Sequence, residues 1–332
     1  MKTKYFAALL SILLSVQTQA QSIIPAPFRL SLNEITFQDK EFLIEDFGAK
    51  EGGKEKCTKA IAEAIEEATA SGGGYVLVPK GTWLTGPIVL KDNVCLKFED
   101  GAEILFSTDH EDYLPAVLSR HQGIDCYKHS SFIYAYGAKN IGLIGKAVFQ
   151  GQGKKWWDYR KAIPKSEDPF VTLMEMAEDD VPVNERIYDD IDKTLLAPCF
   201  FMPMNCENVL LDGITFRYGA YWTVNPVYCE NVIIRNVSVV TIGGYGKTGN
   251  GDGINLSSCK NVLIENCILN TGDDCITLKS GRGIDGYKKG IPTQNIVVRN
   301  CESLKGHGGV VIGSETSGGI RNIYVHDCVF NG

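Results

Sequence analysis

The 332-residue sequence predicts an all-β protein in the form of a parallel β-helix, with one amphipathic helix near its N-terminus. An Asn followed by alternating apolar residues recurs along the chain, and its last five starts are 23, 30, 34 and 27 residues apart. A repeat of this length, made of short strands without an intervening helix, is typical of one coil of a β-helix. Thirty-five glycines and few helical patterns also favour many turns. Leucine-rich repeats are the alternative, but their Leu-x-x-Leu-x-Leu signature is missing. The repeat starts at Asn93, Asn140, Asn208, Asn231, Asn261, Asn295 and Asn322.

The first twenty residues have the pattern of a secretory signal peptide. A basic start is followed by an apolar segment from Tyr5 to Val16 and by a small-residue cleavage site at 18–20. A membrane anchor is the alternative, but a span needs about 20 apolar residues and this segment is shorter. We therefore expect no membrane span, a mature chain that begins near Gln21, and a secreted or periplasmic protein.

Residues 21–74 are predicted to hold a leading strand and a capping helix. Apolar alternation around Phe42, Ile44 and Phe47 indicates the strand. Helical periodicity over residues 56–71, ended by three glycines, indicates an amphipathic helix that can close the open end of the β-helix core. Its apolar face is expected to contain Ile61, Ala64, Ile65 and Ala68.

Residues 75–332 are predicted to form the coils. The two-residue period of a strand places Val262 and Ile264 inside with Glu265 outside, and the preceding coil places Val232 and Ile234 inside in the same way. Six residues after each repeat Asn, cysteine exchanges with aliphatic residues, which is the behaviour of a small buried hydrophobe. Export leaves a disulfide framework as the alternative for the eleven cysteines. The column contains Ile214, Val237, Cys267, Cys301 and Cys328, whereas Cys206, Cys229 and Cys259 are left open.

Two further features concern turns and an interruption. Asn236, Asn266, Asn300 and Asp327 share one position of the repeat, where left-handed backbone geometry is predicted. Residues 154–192 break the repeat and are expected to form a loop beside the coils. Such a loop would either wall a cleft or be a tolerated surface excursion.

The net charge of −7 argues against nucleic acid as a partner, because neutralising phosphates requires clustered Lys and Arg. An acidic polysaccharide is compatible with this charge if a local basic patch exists.

Three polar clusters are separated by about one coil each. Asp252 precedes Asp273 by 21 residues, and Asp274 precedes His307 by 33. Stacked coils would place these groups on one face, roughly 4.8 Å apart per coil. A carboxyl held protonated by like-charged neighbours can act as a general acid while another activates water, as in glycoside hydrolysis. The alternative is that these are ordinary turn residues, and the adjacent pair can share a site only if the backbone bends, as Gly272 would permit.

The order of these motifs resembles the polygalacturonases, the pectin-degrading enzymes of glycoside hydrolase family 28. The matching segments are Asn250–Gly253, Gly272–Cys275 and Gly306–Gly308, where the family has Asn-Thr-Asp, Gly-or-Gln-Asp-Asp and Gly-His-Gly. The resemblance covers most of residues 40–332, and Gly251 in place of the motif's Thr is a mild departure.

The resemblance implies a single-stranded right-handed β-helix of the pectin-lyase-like type. It also implies inverting hydrolysis of galacturonide linkages without metal or other cofactor, by a protein that we expect to be a monomer. Carried over by residue, Asp273 would be the general acid, Asp252 and Asp274 would activate water, and His307 would support the charge state of the acid. Asn250 would contact the substrate, which would be a pectic polysaccharide or an oligogalacturonide.

Substrate contacts are also predicted on both sides of the aspartate motifs. Lys279 and Arg282, expected in a loop just after the Asp pair, are candidates for the carboxylate of an acidic sugar, against an ordinary solvated loop. Tyr221 and Trp222 are candidates for stacking on a sugar ring, with core packing as the alternative.

The family's Arg-x-Lys motif is absent, since it would fall about thirty residues after the His and the chain has 25 residues after His307. We therefore expect residues 75–332 to be a catalytic domain that lacks its C-terminal coils, poorly soluble and nearly inactive alone.

Two other functions compete with hydrolysis. A β-helix polysaccharide lyase would use Ca²⁺ and a basic residue for β-elimination, and a glycan-binding fibre protein would have no catalysis. The sequence does not decide between homogalacturonan, xylogalacturonan and rhamnogalacturonan, or between internal and terminal cleavage.

Overall fold

The computed structural model describes residues 30, 32, 34–243, 246, 247 and 250–331, and these residues wind into a parallel β-helix with three long sheets. The all-β parallel β-helix that the repeat predicts is confirmed. The signal peptide predicted at 1–20 lies outside the described residues. In the part of the chain that the structure describes, no helix is long and apolar enough to cross a membrane.

Each of the three sheets takes one strand from successive coils. Sheet A contains the nine strands Glu41–Leu43, Gly74–Val78, Val94–Phe98, Lys139–Gly145, Glu207–Asp212, Glu230–Arg235, Lys260–Glu265, Thr293–Arg299 and Ile320–His326. Sheet B contains the eight strands Gly81–Thr85, Ala102–Phe106, Val148–Gln150, Thr215–Arg217, Ser238–Val240, Ile268–Asn270, Glu302–Lys305 and Val329–Phe330. Sheet C contains Ile88–Val89, Ile133–Tyr136, Phe201–Met204, Ile254–Ser257, Ile276–Lys279 and Val310–Ile312, with bridges through Val224 and Val227 joining its two halves.

The repeat Asn forms a continuous ladder along the edge of sheet A. Of the seven side chains, each of the six after the first donates an amide N–H to the Oδ1 of the one before it, for example Asn208 to Asn140 at 2.7 Å and Asn295 to Asn261 at 3.0 Å. All seven have positive φ, between 53° and 61°, which Asn tolerates better than most residues. The same residue type therefore fixes both the bend of the backbone and the stacking of the coils. The remaining rungs join Asn93, Asn231 and Asn322 to their neighbours.

The turns from sheet A to sheet B are short and uniform. In the coil that begins at Asn231, only Asn236 and Val237 separate Glu230–Arg235 from Ser238–Val240. The first turn residue has positive φ, as predicted, and the second points into the core. The left-handed residues are Asn236, Asn266, Asn300 and Asp327, with φ of 57°, 55°, 51° and 53°.

The core confirms the two-residue period, since Val262, Ile264, Val232 and Ile234 are all buried. Cys267 and Cys301 are buried among them, and no described cysteine forms a disulfide, so the prediction of a small buried hydrophobe holds. Cys328 is only half-buried, because no further coil among the described residues covers it. The three cysteines left open by the sequence, Cys206, Cys229 and Cys259, are also buried and free.

Helix α1, Thr58–Ala70, covers the first coil as predicted. Its apolar face is buried against the first strands of sheets A and C, and Ser71 and the glycines after it end the helix. The leading strand is shorter than predicted, because it spans only Glu41–Leu43 and the chain then turns into a 3₁₀ helix, Ile44–Phe47. The apolar residues of this segment follow the 3₁₀ turn, where Ile44 is buried and Phe47 packs on the core.

The expectation of a loop at 154–192 is wrong, because this segment forms helices α2, Lys154–Ala162, and α3, Pro169–Glu178. The start of α3 was visible in the sequence: Asp168 Oδ1 accepts the Phe170 N–H, and Pro169 occupies the first turn. Buried Trp156 and Trp157 anchor α2 to the core. Short 3₁₀ helices occur at Lys165–Glu167, between α2 and α3, at Val183–Glu185, after α3, and earlier in the chain at His110–Tyr113.

Two more elements beside sheet C were not predicted. An antiparallel hairpin, Val117–His121 with Ile124–Lys128, precedes Ile133–Tyr136 and pairs with Ile187–Tyr188. Helix α4, Gly283–Lys289, follows Ile276–Lys279. A small antiparallel pair, Ile242–Gly243 with Gly246–Lys247, lies between sheets B and C.

Candidate active site

The predicted acidic residues lie on stacked turns between sheet B and sheet C. Ile254 pairs with Ile276, which pairs with Val310, so two residues earlier Asp252, Asp274 and Gly308 share one position of successive coils. One residue before that, Asp273 is level with His307, whose backbone N–H donates to the Asp273 carbonyl at 3.0 Å. Parallel register therefore brings all four predicted catalytic residues together.

The backbone bends at Gly272 and Asp273, so the adjacent carboxylates share one site as the sequence required. Thr271 Oγ1 donates to the Asp273 carbonyl at 2.7 Å, and the Asp274 N–H donates to Asp273 Oδ1 at 3.0 Å. His307 Nδ1 lies 3.1 Å from the same Oδ1. One carboxylate oxygen of Asp273, one of Asp274 and a ring nitrogen of His307 all lie within 4.8 Å of one another.

Burial makes the three carboxyls unequal. Asp252 is only 3% exposed, and burial raises its pKa well above the ordinary value, an effect that Asp273 and Asp274 increase and Lys279 opposes. Partial burial and the neighbouring Asp273 also raise the pKa of Asp274. Asp252 and Asp274 therefore retain their protons to higher pH than isolated aspartates would.

Lys279 lines a cleft beside these carboxyls. It is the last residue of a sheet C strand, so the prediction that it lies in a loop is wrong. Its side chain is 6% exposed and donates to Glu315 Oε2 at 2.7 Å and to the Gly313 carbonyl at 2.8 Å. Arg282, at the start of α4, donates to the other oxygen of Glu315 at 2.8 Å. Burial alone would raise the pKa of Glu315, but attraction and hydrogen bonds from the two cations lower it. One buried carboxylate thus already engages both predicted substrate cations.

Of the two aromatic residues predicted to contact the sugar, Tyr221 packs in the core and Trp222 lines the cleft. Tyr221 is buried, and its ring lies nearly parallel to His121 at 4.9 Å and to Trp222 at 5.2 Å. These contacts favour core packing over sugar stacking for Tyr221. Trp222 lines the cleft, with Lys279 Nζ 4.7 Å from its ring centroid.

Three cleft-side residues were not predicted. Glu315 lies 36 residues after Lys279, about one coil, and that spacing could have indicated the ion pair. Gln122 reaches the cleft from the hairpin, and Arg160 reaches it from α2, where Nη2 donates to Asn250 Oδ1 at 3.0 Å. No spacing rule finds either residue, because both belong to segments inserted between coils.

The cleft has a volume of about 410 Å³ and is lined by Asn250, Asp252, Asp273, Asp274 and Lys279, among others.

Asp273, Asp274 and His307 are the described residues that could ligate a divalent cation together. Their oxygen and nitrogen donors suit several metals, so the expectation of metal-free chemistry stays a prediction.

The fold and the site together define the class of this protein: a parallel β-helix with an acidic cleft on the side of its coils. The family model described as glycosyl hydrolases family 28 matches residues 75–332, and the chain belongs to that family.

Solved structures and curated relatives agree with this assignment. The chain is 38% identical to a hyperthermoactive exopolygalacturonase from Thermotoga maritima, with a TM-score of 0.84, covering 90% of this chain and 68% of that one. A family 28 exopolygalacturonase from Yersinia enterocolitica is 25% identical with a TM-score of 0.70, over 88% of this chain and 54% of that one. A probable polygalacturonase from Vitis vinifera is 28% identical over 86% of this chain and 53% of the relative. An exo-poly-alpha-D-galacturonosidase from Dickeya chrysanthemi is 28% identical over 86% and 49%, so the chain spans about half the length of these curated relatives.

Proposed function

We propose that this protein is a glycoside hydrolase that cleaves galacturonide linkages in pectic polysaccharide or oligogalacturonides. The observation that carries the proposal is the register of sheet C, which gathers Asp252, Asp273, Asp274 and His307 over successive coils beside one cleft. Two-carboxylate glycoside hydrolysis needs such groups: one to protonate the leaving oxygen and one to activate water.

Asp273 is the proposed general acid. Its Oδ1 lies 3.1 Å from His307 Nδ1, so the imidazole can respond to the charge on this carboxyl as the proton leaves. Asp252 and Asp274 occupy the next position, one coil apart, and are proposed to hold and activate the attacking water from the opposite side. That arrangement favours inversion at the anomeric carbon.

Asn250, Trp222 and Lys279 line the same cleft and are proposed to contact the sugar. Lys279 would act on the substrate carboxylate together with Arg282, although both share Glu315. Several of the relatives are named exo-acting enzymes, and this supports cleavage from chain ends.

Export and a monomeric state complete the proposal. The signal-like pattern of residues 1–20 supports secretion or delivery to the periplasm, where a polysaccharide too large to enter the cell would be met.

Asp273→Asn tests the assignment. The substitution removes the transferable proton but keeps the shape, so reducing-end release from polygalacturonate should fall about 10²- to 10⁴-fold while the fold survives. Asp100→Asn is the matched control, because Asp100 is a surface aspartate with a side chain 76% exposed. Full activity in all of Asp273→Asn, Asp252→Asn and Asp274→Asn would show that the assignment is wrong.

The products separate hydrolysis from the lyase alternative. Hydrolysis creates reducing ends without ultraviolet absorbance, whereas β-elimination creates an unsaturated, absorbing uronide. Activity should persist in the presence of a chelator, and loss of activity that Ca²⁺ restores would instead favour the lyase.

A further inference from the structure

A second, smaller pocket adjoins the cleft on the side of the inserted segments. It has a volume of about 120 Å³ and lies between the hairpin and helices α2 and α3. Gln122 lines both this side pocket and the cleft, so the two spaces are neighbours. The polar lining of the side pocket comprises His121, Gln122, Arg160, Lys165 and Asp168.

Arg160 supplies a positive charge that no described carboxylate neutralises. Its Nη2 donates to Asn250 Oδ1 at 3.0 Å, and its guanidinium lies 5.5 Å from the ring centroid of Tyr221. The segments that the structure leaves undescribed before residue 34 and within 244–249 contain neither Asp nor Glu. Arg160 thus differs from Lys279 and Arg282, whose charges meet Glu315.

His121 adds an unpaired ring nitrogen to the same pocket. The side chain is 4% exposed, and its Nδ1 has no hydrogen-bond partner among the residues that the structure describes. Burial lowers the pKa of His121 well below its ordinary value, and the nearby cations act in the same direction. The imidazole is therefore neutral and can present one N–H, and a buried polar atom without a partner indicates a missing ligand.

The remaining charges leave the side pocket net positive. Asp168 Oδ1 is engaged at the start of α3, where it accepts the Phe170 N–H at 3.0 Å. Lys165 is exposed at the pocket, and no ion pair of its side chain occurs within the described residues. A guanidinium fork, an imidazole N–H and an ammonium group match the acceptors of a carboxylate.

We propose that the side pocket binds the carboxylate of a uronosyl unit, with Arg160 as the residue that anchors it. The inference rests on the proposed function, because the hydrogen bond from Arg160 to Asn250 links the pocket to the cleft where a galacturonide would lie. A volume of about 120 Å³ equals that of on the order of four water molecules. It accommodates a carboxylate and the atoms next to it, but not a polymer passing through.

The consequence is selection for a free acid at one position of the substrate. A methyl-esterified unit lacks the negative charge that Arg160 would meet. The site would therefore distinguish a free uronate from its ester at that sugar.

Binding of D-galacturonate, measured by calorimetry without turnover, tests the proposal. D-galactose is the comparison ligand, since it has a hydroxymethyl group in place of the carboxylate. The folded wild type should bind galacturonate at least tenfold more tightly than galactose. Arg160→Gln should weaken galacturonate about 10- to 150-fold, the loss of a charge-assisted hydrogen bond, and should leave the affinity for galactose unchanged.

Lys161→Gln is the matched control, because it removes one positive charge from the same helix at an exposed position. It should change galacturonate binding less than twofold. Arg160→Lys keeps the charge and should restore part of the affinity. His121→Phe keeps a ring against Tyr221, removes the nitrogen donor and should cost about 2- to 12-fold.

Equal galacturonate affinity in Arg160→Gln and Lys161→Gln would overturn the proposal, as would sulfate binding as tightly as galacturonate. If Arg160→Gln fails to fold, Arg160→Lys and His121→Phe decide the matter, and unchanged binding in both would overturn it. Because no turnover is needed, loss of binding in Arg160→Gln without any hydrolysis by the wild type would refute the proposed function and leave the carboxylate site standing.

Discussion

Asp252 shows most directly how the candidate active site lowers the stability of the fold. Its carboxyl is buried, and Oδ1 finds no hydrogen-bond partner among the described residues. An ionised carboxylate in such surroundings is unfavourable unless it is paired. Such local costs are typical of positions selected for activity and not for stability.

Asp252→Asn should stabilise the protein at neutral pH while it removes activity. An aspartate with a higher pKa in the folded than in the unfolded state binds its proton more tightly when folded. The resulting stabilisation is complete below the unfolded pKa of about 3.9 and is lost as pH rises through the folded pKa. Asn never ionises, so the melting temperature of the variant should exceed that of the wild type by a margin that grows from pH 4 to pH 8.

Melting curves of both proteins across that range provide the measurement, with Asp100→Asn as the exposed control. A difference that stays constant with pH would contradict the raised pKa.

At the scale of residues, the sequence was sufficient to locate the site residues that follow the spacing of the coils. It was insufficient to locate the site residues that do not follow it. Asp252, Asp273 and His307 follow one another at about one coil, so spacing alone predicted their meeting. Arg160 and Gln122 have no counterparts in neighbouring coils, and their positions depend on how inserted segments fold back. That folding is set by tertiary packing, which local patterns do not encode.

Among the elements, the asparagine ladder joins local geometry to long-range order. Asn208 donates to Asn140 at 2.7 Å, accepts from Asn231 at 3.2 Å, and has a φ of 59°. The sequence repeat located these residues and the turns after them, but not the bonds between their side chains.

Asn208→Ala should lower the free energy of unfolding by about 2–5 kcal/mol. It loses two hydrogen bonds, at about 0.5–1.5 kcal/mol each, and places Ala in the left-handed region at about 1–2 kcal/mol. Asn208→Gly loses only the bonds, so denaturant titration should show it about 1–2 kcal/mol more stable than the Ala variant. Identical stabilities of the two variants would show that the backbone geometry contributes nothing.

The ion-pair cluster at Glu315 ties a sheet C strand to the start of α4. Glu315→Gln should lower the free energy of unfolding by about 3–5 kcal/mol, because it leaves the buried Lys279 without its anion. Glu230→Gln removes the partner of Lys260 in a half-exposed pair on sheet A and should cost at most about 1 kcal/mol. Equal effects in denaturant titration would show that burial adds nothing to the Glu315 contacts.

Helix α1 and the inserted helices differ in how readily the sequence reveals them. The apolar residues of α1 recur at helical spacing over three turns, so both its face and its bounds could be predicted. Helices α2 and α3 are short, and a pair of tryptophans and mixed charges obscure their periodicity. Their stability comes from packing beside the coils, since isolated helices of this length are marginal.

At the scale of the whole molecule, the accessibility of the cysteine thiols shows whether the core of the coils remains folded. Ten of the eleven are buried and Cys328 is half-buried, all without disulfides. Burial raises the pKa of the Cys199 thiol to about 11 and that of Cys126 to about 12, which keeps both thiols protonated and unreactive.

A thiol reagent should therefore label at most Cys328 in the native protein and all eleven cysteines after denaturation. Mass spectrometry of the labelled protein before and after unfolding gives the count. Native labelling at Cys267 or Cys301 would show that the core opens, and disulfides there would contradict the buried free thiols.

The turns of the coil also bear on how such a chain can diverge. Each of the last six passages from sheet A to sheet B uses two residues, whereas the passages from sheet B to sheet C include segments as different as 107–132 and 151–200. Gln122 at the cleft and Arg160 at the side pocket both belong to those two segments of the second passage. Genes for related chains could therefore exchange these segments as blocks and produce chimaeras with new substrate preferences, while the coils beneath keep their register.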